Sequence, residues 1–187
     1  MNETLKVIEK RFACRDFNEV APTDEELALI AQAAIQSPSG MNRQGWQVIV
    51  IKDKNLIDEM DDAGMAFLAK MPDKALFERI KGRGGKLLYN APRMIAIAIK
   101  ESEPKGAEQF DCGIVAQNIV IAAESLGLAT LHCGLFNLVF AGVRATEFKQ
   151  RLQFKDGYEC GIGILLGHTN HPVAPHVPDQ EKITIIE

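Results

Sequence analysis

Ser37-Pro38-Ser39-Gly40-Met41-Asn42-Arg43-Gln44-Gly45-Trp46 runs directly into the apolar stretch Gln47-Val48-Ile49-Val50-Ile51. Pro38 and Gly40 shape a turn between a helix and a strand, while Ser39, Asn42, Arg43 and Gln44 crowd hydrogen-bond donors and acceptors into it. A loop of this kind is suited to contact a cofactor, but a helix-loop-strand junction by itself is common.

The N-terminus supplies a second motif. Glu9-Lys10-Arg11-Phe12-Ala13-Cys14-Arg15-Asp16-Phe17 follows a short amphipathic segment containing Leu5, Val7 and Ile8, and an irregular backbone there can aim Arg11 and Arg15 at one phosphate. Alone, two arginines near a helix end serve equally well as solvated charges. A third element, Gly113-Ile114-Val115-Ala116-Gln117-Asn118 through Leu126-Gly127-Leu128, falls in a long apolar helix. In this order and spacing the motifs resemble the nitroreductase family of FMN-dependent oxidoreductases. The closing segment Cys160-Gly161-Ile162-Gly163-Ile164-Leu165-Leu166-Gly167 extends the resemblance over nearly the whole chain.

The resemblance implies an α+β fold, a mixed sheet flanked by helices, with residues 1–187 as a single FMN-binding domain in an interwoven homodimer. FMN then lies at the subunit interface, with the arginines from one subunit and the Ser39/Asn42 loop from its partner. Residue by residue, it puts Arg11 and Arg15 at the FMN phosphate, with Phe12 and Ala13 shaping that turn. The commoner pattern has serine near Ala13, so alanine removes a hydroxyl donor. Pro38, Ser39, Gly40 and Asn42 fall on the flavin-binding loop, with Gln44 as a further contact. His132-Cys133-Gly134-Leu135 aligns with the piece facing the flavin, where backbone N–H groups at Gly134 and Leu135 support the electron-rich reduced ring. His132 and Cys133 read equally as a half-buried histidine and a core filler, and neither is assigned a catalytic role. His176 stands where relatives place a basic residue at the phosphate, and Gly84 offers only backbone chemistry where some relatives have a polar contact.

The activity implied is hydride transfer from NADH or NADPH to FMN, followed by reduction of a small-molecule electron acceptor, a nitroaromatic or quinone, in ping-pong fashion. The alternatives are a specialised flavin reaction, reductive dehalogenation or flavin fragmentation, and a flavin-binding protein without turnover.

Composition is compatible with these expectations. The chain has 187 residues, 47% hydrophobic, enough for a substantial core. A formal charge of -4 gives no reason to expect nucleic acid. Cys14, Cys112, Cys133 and Cys160 form neither a CxxC pair nor a zinc spacing, and His168, His171 and His176 lack the acidic or thiol ligands that would complete a metal site. With no signal-like or membrane-length apolar run, a cytoplasmic protein is the expectation. Asp111 and Glu124 read as a helix-start charge and a polar helix position, not as paired acids.

Thr23-Asp24-Glu25-Glu26 has capping-box spacing, with Leu27, Ile30, Ala31, Ala34 and Ile35 on the face that follows. Buried strand Gln47–Ile51 leads to a helix beginning at Asp53 and continuing through Leu68. Residues 71–90 are helical in composition until Gly82-Arg83-Gly84-Gly85 interrupts them, and Arg93–Ile99 is a strand. The central helix spans about 108–126, followed by an extended 129–133, a helical 143–152 and a strand at 158–166.

Overall fold

The structure, a computed structural model, describes residues 1–100 and 106–187. Strands β1 (Trp46–Ile51), β2 (Arg93–Lys100), β3 (Ala129–Cys133) and β4 (Tyr158–Gly167) form an antiparallel sheet in the order β1-β2-β4-β3. In β2, successive side chains leave opposite faces of the sheet. Ile95, Ile97 and Ile99 enter one apolar cluster, whereas Met94 and Ala96 enter the other. Met94 through Ile99 are all buried, so β2 is the spine of both layers.

Helices α1 (Glu3–Lys10), α2 (Asp24–Ile35), α3 (Lys54–Leu68), α4 (Ala75–Lys81), α5 (Ala107–Ser125) and α6 (Ala145–Arg151) surround it. Leu27 and Ile30 of α2 and Val115, Ile119 and Val120 of α5 cover the isoleucine face. Ile57 and Met60 of α3, Ile80 of α4, Phe148 of α6 and Phe136 cover the other. The expected α+β architecture is present. Pairing inside the sheet is antiparallel throughout, and parallel pairing is confined, among the described residues, to an isolated bridge between Ala13 and Thr130.

Several local expectations are met at the level of atoms. Thr23 and Glu26 form a reciprocal capping box, and Asp53 accepts from the N–H groups of Asn55 and Leu56 to start α3. Three readings are corrected. β1 sits at the sheet edge with one neighbour, so Gln47 to Val50 are half-buried. Ile35, assigned to the buried face of its helix, is 49% exposed. Glu124 is buried and its carboxylate lies 3.6 Å from the Lys10 ammonium, joining α5 to α1. Among the described residues no helix is long and apolar enough to cross a membrane.

The segment after α4 is organised by a tertiary contact. Gly84 and Gly85 take left-handed φ values of 101° and 72°, and the Gly85 N–H donates to the Ile80 carbonyl at 3.0 Å, ending the helix in a Schellman-like turn. The chain then folds against α3. Buried Asp61 accepts from the N–H of Leu87 at 2.9 Å and of Leu88 at 3.1 Å. One turn along α3, Gly64 admits Leu87; a Cβ there would meet Leu87 Cδ1 at 2.5 Å. After Gly167 the chain is held at Asn18 and Asp16 by His168, Asn170 and His171, and further along Val173, Val177, Ile183, Ile185 and Ile186 are exposed.

Replacing Asp61 with Asn leaves one oxygen for two backbone donors and turns an NH2 group toward the second. We expect Asp61→Asn to cost about 1–3 kcal/mol in denaturant unfolding at neutral pH. Burial raises the Asp61 carboxyl above its ordinary value, outweighing the Leu87 and Leu88 hydrogen bonds. The folded chain therefore binds this proton more tightly than the unfolded chain, and the group's contribution falls as pH rises from about 3.9 through the raised value. Unfolding measured across that interval should show this slope in the parent and its loss in Asp61→Asn.

Candidate active site

Arg11 and Arg15 are positioned by the edge of the sheet. The Arg11 N–H closes α1 on the Val7 carbonyl at 3.1 Å, after which the chain straightens and Cys14 donates to the Thr130 carbonyl at 2.8 Å. This contact and the Ala13–Thr130 bridge lay the arginine turn along β3. Arg15 donates to the Ala13 carbonyl at 3.4 Å. His132 lies within the field of Arg11, and burial first, then that positive charge, lowers its pKa. It is therefore neutral at pH 7 and adds no charge to the site.

At the end of β3, a 3-10 helix begins at Gly134. Here a polar pocket of about 410 Å³ opens between Leu131–Leu135 with the neighbouring Arg15 and, from α4 and the return after it, Arg79, Arg83 and Tyr89. Arg79, Arg83 and Tyr89 were absent from the sequence reading, which considered only backbone chemistry at Gly84. Their available signal was the four-residue spacing of Arg79 and Arg83, which puts both on one side of α4 and its exit turn. The Arg83 guanidinium lies over the Tyr89 ring, 4.3 Å from its centroid. Tyr89 and Asn90 have φ values of 51° and 55°, a conformation uncommon for residues with side chains and held here by the Asp61 contact just before them.

None of Arg11, Arg15, Arg79 and Arg83 forms an ion pair with a carboxylate among the described residues. Arg15, Arg79 and Arg83 line the pocket, and guanidiniums gathered in this way suit a phosphate or carboxylate, with which they form paired, charge-assisted hydrogen bonds; Arg11 lies outside the pocket lining, on the same turn as Arg15. Gly134 adds a second feature. Its φ is not left-handed, and a Cβ built on it would meet nothing within 4 Å, so neither backbone conformation nor internal packing requires glycine. The bare backbone beside the cationic group fits a planar ring carrying a phosphate, as FMN does.

Cys133 belongs to the supporting structure. Its thiol donates to the Leu87 carbonyl at 3.7 Å, so it joins the two walls of the pocket. Burial pushes this thiol up to about 11. Burial does the same to Cys112, to about 11, and raises Cys14 and Cys160. All four are free thiols.

The opening loop is built elsewhere on the surface. Ser39 Oγ accepts from the Gln44 N–H at 2.9 Å, and Gln44 Nε2 donates to Asn42 Oδ1 at 3.0 Å. Met41, Asn42 and Gln44 all have φ near 50°. Helix α5 fixes the loop from below: Asp111 accepts from the Gly40 N–H at 3.2 Å, and Asn118 donates to Ser37 Oγ at 2.9 Å. Asp111 thus has a role that its reading as a helix-start charge lacked. Pro38, Ser39, Gly40, Asn42 and Gln44 do not line the arginine pocket of their own chain. Nor does His176, which is exposed in the C-terminal segment; its neighbour His171 contacts Asp16 at 2.8 Å. Among the described residues no cluster of three or more His, Cys, Asp or Glu side chains could hold a metal ion.

A nitroreductase with bound FMN from Desulfitobacterium hafniense DCB-2 is 53% identical, with a TM-score of 0.96 over all of both chains. A nitroreductase with bound FMN from Bacteroides fragilis NCTC 9343 shares the fold at 22% identity, with a TM-score of 0.91 over all of both chains. The NADPH-flavin oxidoreductase of Vibrio harveyi is 26% identical over 184 residues, 95% of this chain and 71% of its own. The family model described as Nitroreductase family matches residues 8–168, and the chain belongs to that family.

Proposed function

We propose that the chain is an FMN-dependent NAD(P)H oxidoreductase, one domain over residues 1–187, that acts as a homodimer on nitroaromatic, quinone or related electrophilic acceptors. The observation that carries this reading is the bare Gly134 surface beside guanidiniums that form no ion pair with a carboxylate among the described residues. The 53% identical nitroreductase with bound FMN and the Vibrio harveyi NADPH-flavin oxidoreductase support the choice of cofactor and donor. Bound FMN would accept hydride from NADH or NADPH at N5 and deliver electrons to an acceptor that takes the donor's place.

The chain's own residues bind and orient. Arg11 and Arg15 hold the phosphate through charge-assisted hydrogen bonds, on a turn fixed by Thr130. Gly134 provides close approach and a backbone N–H toward the edge of the ring where negative charge grows. His132 and Cys133 line the pocket, and neither is assigned a catalytic role. The Ser39–Gln44 loop reaches the cofactor from the partner subunit, with its Pro38 and Gly40 allowing approach and its Asn42 and Gln44 reading polar atoms. His176 assists at the phosphate across the same interface.

A second copy also has surface to cover. Val7 and Ile8 of α1, Ala33 of α2 and Ile121 and Ala122 of α5 line an apolar groove of about 740 Å³, and five aliphatic side chains of the C-terminal segment are exposed. Exposed apolar surface of this extent marks an interaction site.

Visible spectra of the purified protein test the cofactor. A flavin spectrum bleached by NADH or NADPH without oxygen is expected; no flavin after incubation with FMN overturns the assignment, while bound flavin that neither donor reduces indicates a binding protein without turnover. Gly134→Val should raise the FMN Kd by about tenfold or more, equivalent to 1.4 kcal/mol. Gly134→Ala should keep the unfolding free energy within about 0.5 kcal/mol of the parent, because a Cβ there meets no internal neighbour. Ending the chain after His171 should shift its sedimentation from dimer to monomer and lower its flavin content together; a dimer that persists with full flavin counts against the interface role of the segment.

A further inference from the structure

We infer that a second cleft, built around Arg93 and separate from the arginine pocket, is a binding site for a small monocarboxylate. Tyr89 lines the arginine pocket, whereas Asn90, Pro92 and Arg93 line this one, a cleft of about 600 Å³ that Phe17 and Lys54 also border. A volume of that size holds a small molecule.

Arg93 opens β2, and its guanidinium is the group without a counterpart. Nη1 donates to the Pro92 carbonyl at 2.8 Å, while Nε is buried and has no hydrogen-bond partner. No carboxylate among the described residues pairs with this side chain. A buried N–H without an acceptor destabilises the fold until one arrives. Nε and Nη2 form the edge of a guanidinium that grips a carboxylate through two parallel hydrogen bonds. Because Nε is covered, the side chain turns toward the cleft to present that edge, and the turn breaks no bond at Nε. The surroundings set charge and shape. Lys54 is paired with Asp58, and Glu19, the acid among the lining residues, is exposed and screened by water, which leaves the half-buried guanidinium as the uncompensated charge. One such cation matches one carboxylate. Phe17, Ala21 and Pro92 add apolar wall for a short hydrocarbon body.

Calorimetric titration of the purified protein, incubated with FMN, against butyrate and against butyramide tests the inference without turnover, since the two probes are alike in size and differ in charge. Butyrate should bind at least about tenfold more tightly, and Arg93→Met should bring the ratio close to one while keeping the flavin content of the parent. Arg93→Lys should recover only part of the ratio, because lysine keeps the charge but lacks the fork. No preference for butyrate in the parent overturns the inference. A preference that survives Arg93→Met overturns it too, because the anion then sits at other cations. Should Arg93→Met fail to fold, Ala21→Phe decides: it narrows the cleft and leaves the guanidinium in place, so a lost preference supports the site and a retained one overturns it. Failure of NADH and NADPH to bleach the flavin would sink the oxidoreductase reading instead, and the two binding constants are read independently of it.

Discussion

Asp61 spends its two carboxylate oxygens on the N–H groups of Leu87 and Leu88, inside the layer between α3 and the sheet. Burying a carboxylate is costly unless its acceptor capacity is used, and here two backbone donors that also need partners use it. From this joint the pocket follows in both directions. Leu87 receives the Cys133 thiol through its carbonyl, tying the end of β3 to the same segment, and Tyr89 emerges two residues later beneath Arg83. Gly64 allows the approach by having no side chain where Leu87 packs. The pocket walls therefore come from β3 and from the return after α4, which share no hydrogen-bonded strand pairing.

The frame was legible because its signals are local. Thr23 with Glu26, Asp53 before its helix and the alternating residues of β2 each declare an element within a few positions. The candidate site was legible in part for the same reason: the arginine turn, the loop at 38–44 and Gly134 are short motifs. Arg79 and Arg83 were missed because only the fold of residues 82–90 brings them to Gly134, and that fold depends on Asp61. In the sequence Asp61 is one of several acids along α3, with nothing to distinguish it from exposed Asp62. The edge position of β1 was hidden for a related reason, since strand order depends on pairings between distant segments.

The two halves of the proposed cofactor site are prepared separately. The loop is shaped by its own hydrogen bonds and by Asp111 and Asn118 of α5, while the arginine turn is shaped by Thr130 of β3. Neither relies on the other for its conformation. In the proposed dimer, association would bring finished surfaces together, with little ordering entropy to oppose it.

Thiols react with peroxides and disulfides through their thiolate forms. Burial holds all four sulfurs of this chain in the protonated state at neutral pH, with Cys133 additionally donating to the Leu87 carbonyl. A protein whose chemistry passes electrons beside a cysteine is exposed to oxidants generated there. By keeping Cys133 uncharged and enclosed, the fold keeps that sulfur off the path to sulfenic acid, so wear by its own turnover should fall first on other side chains.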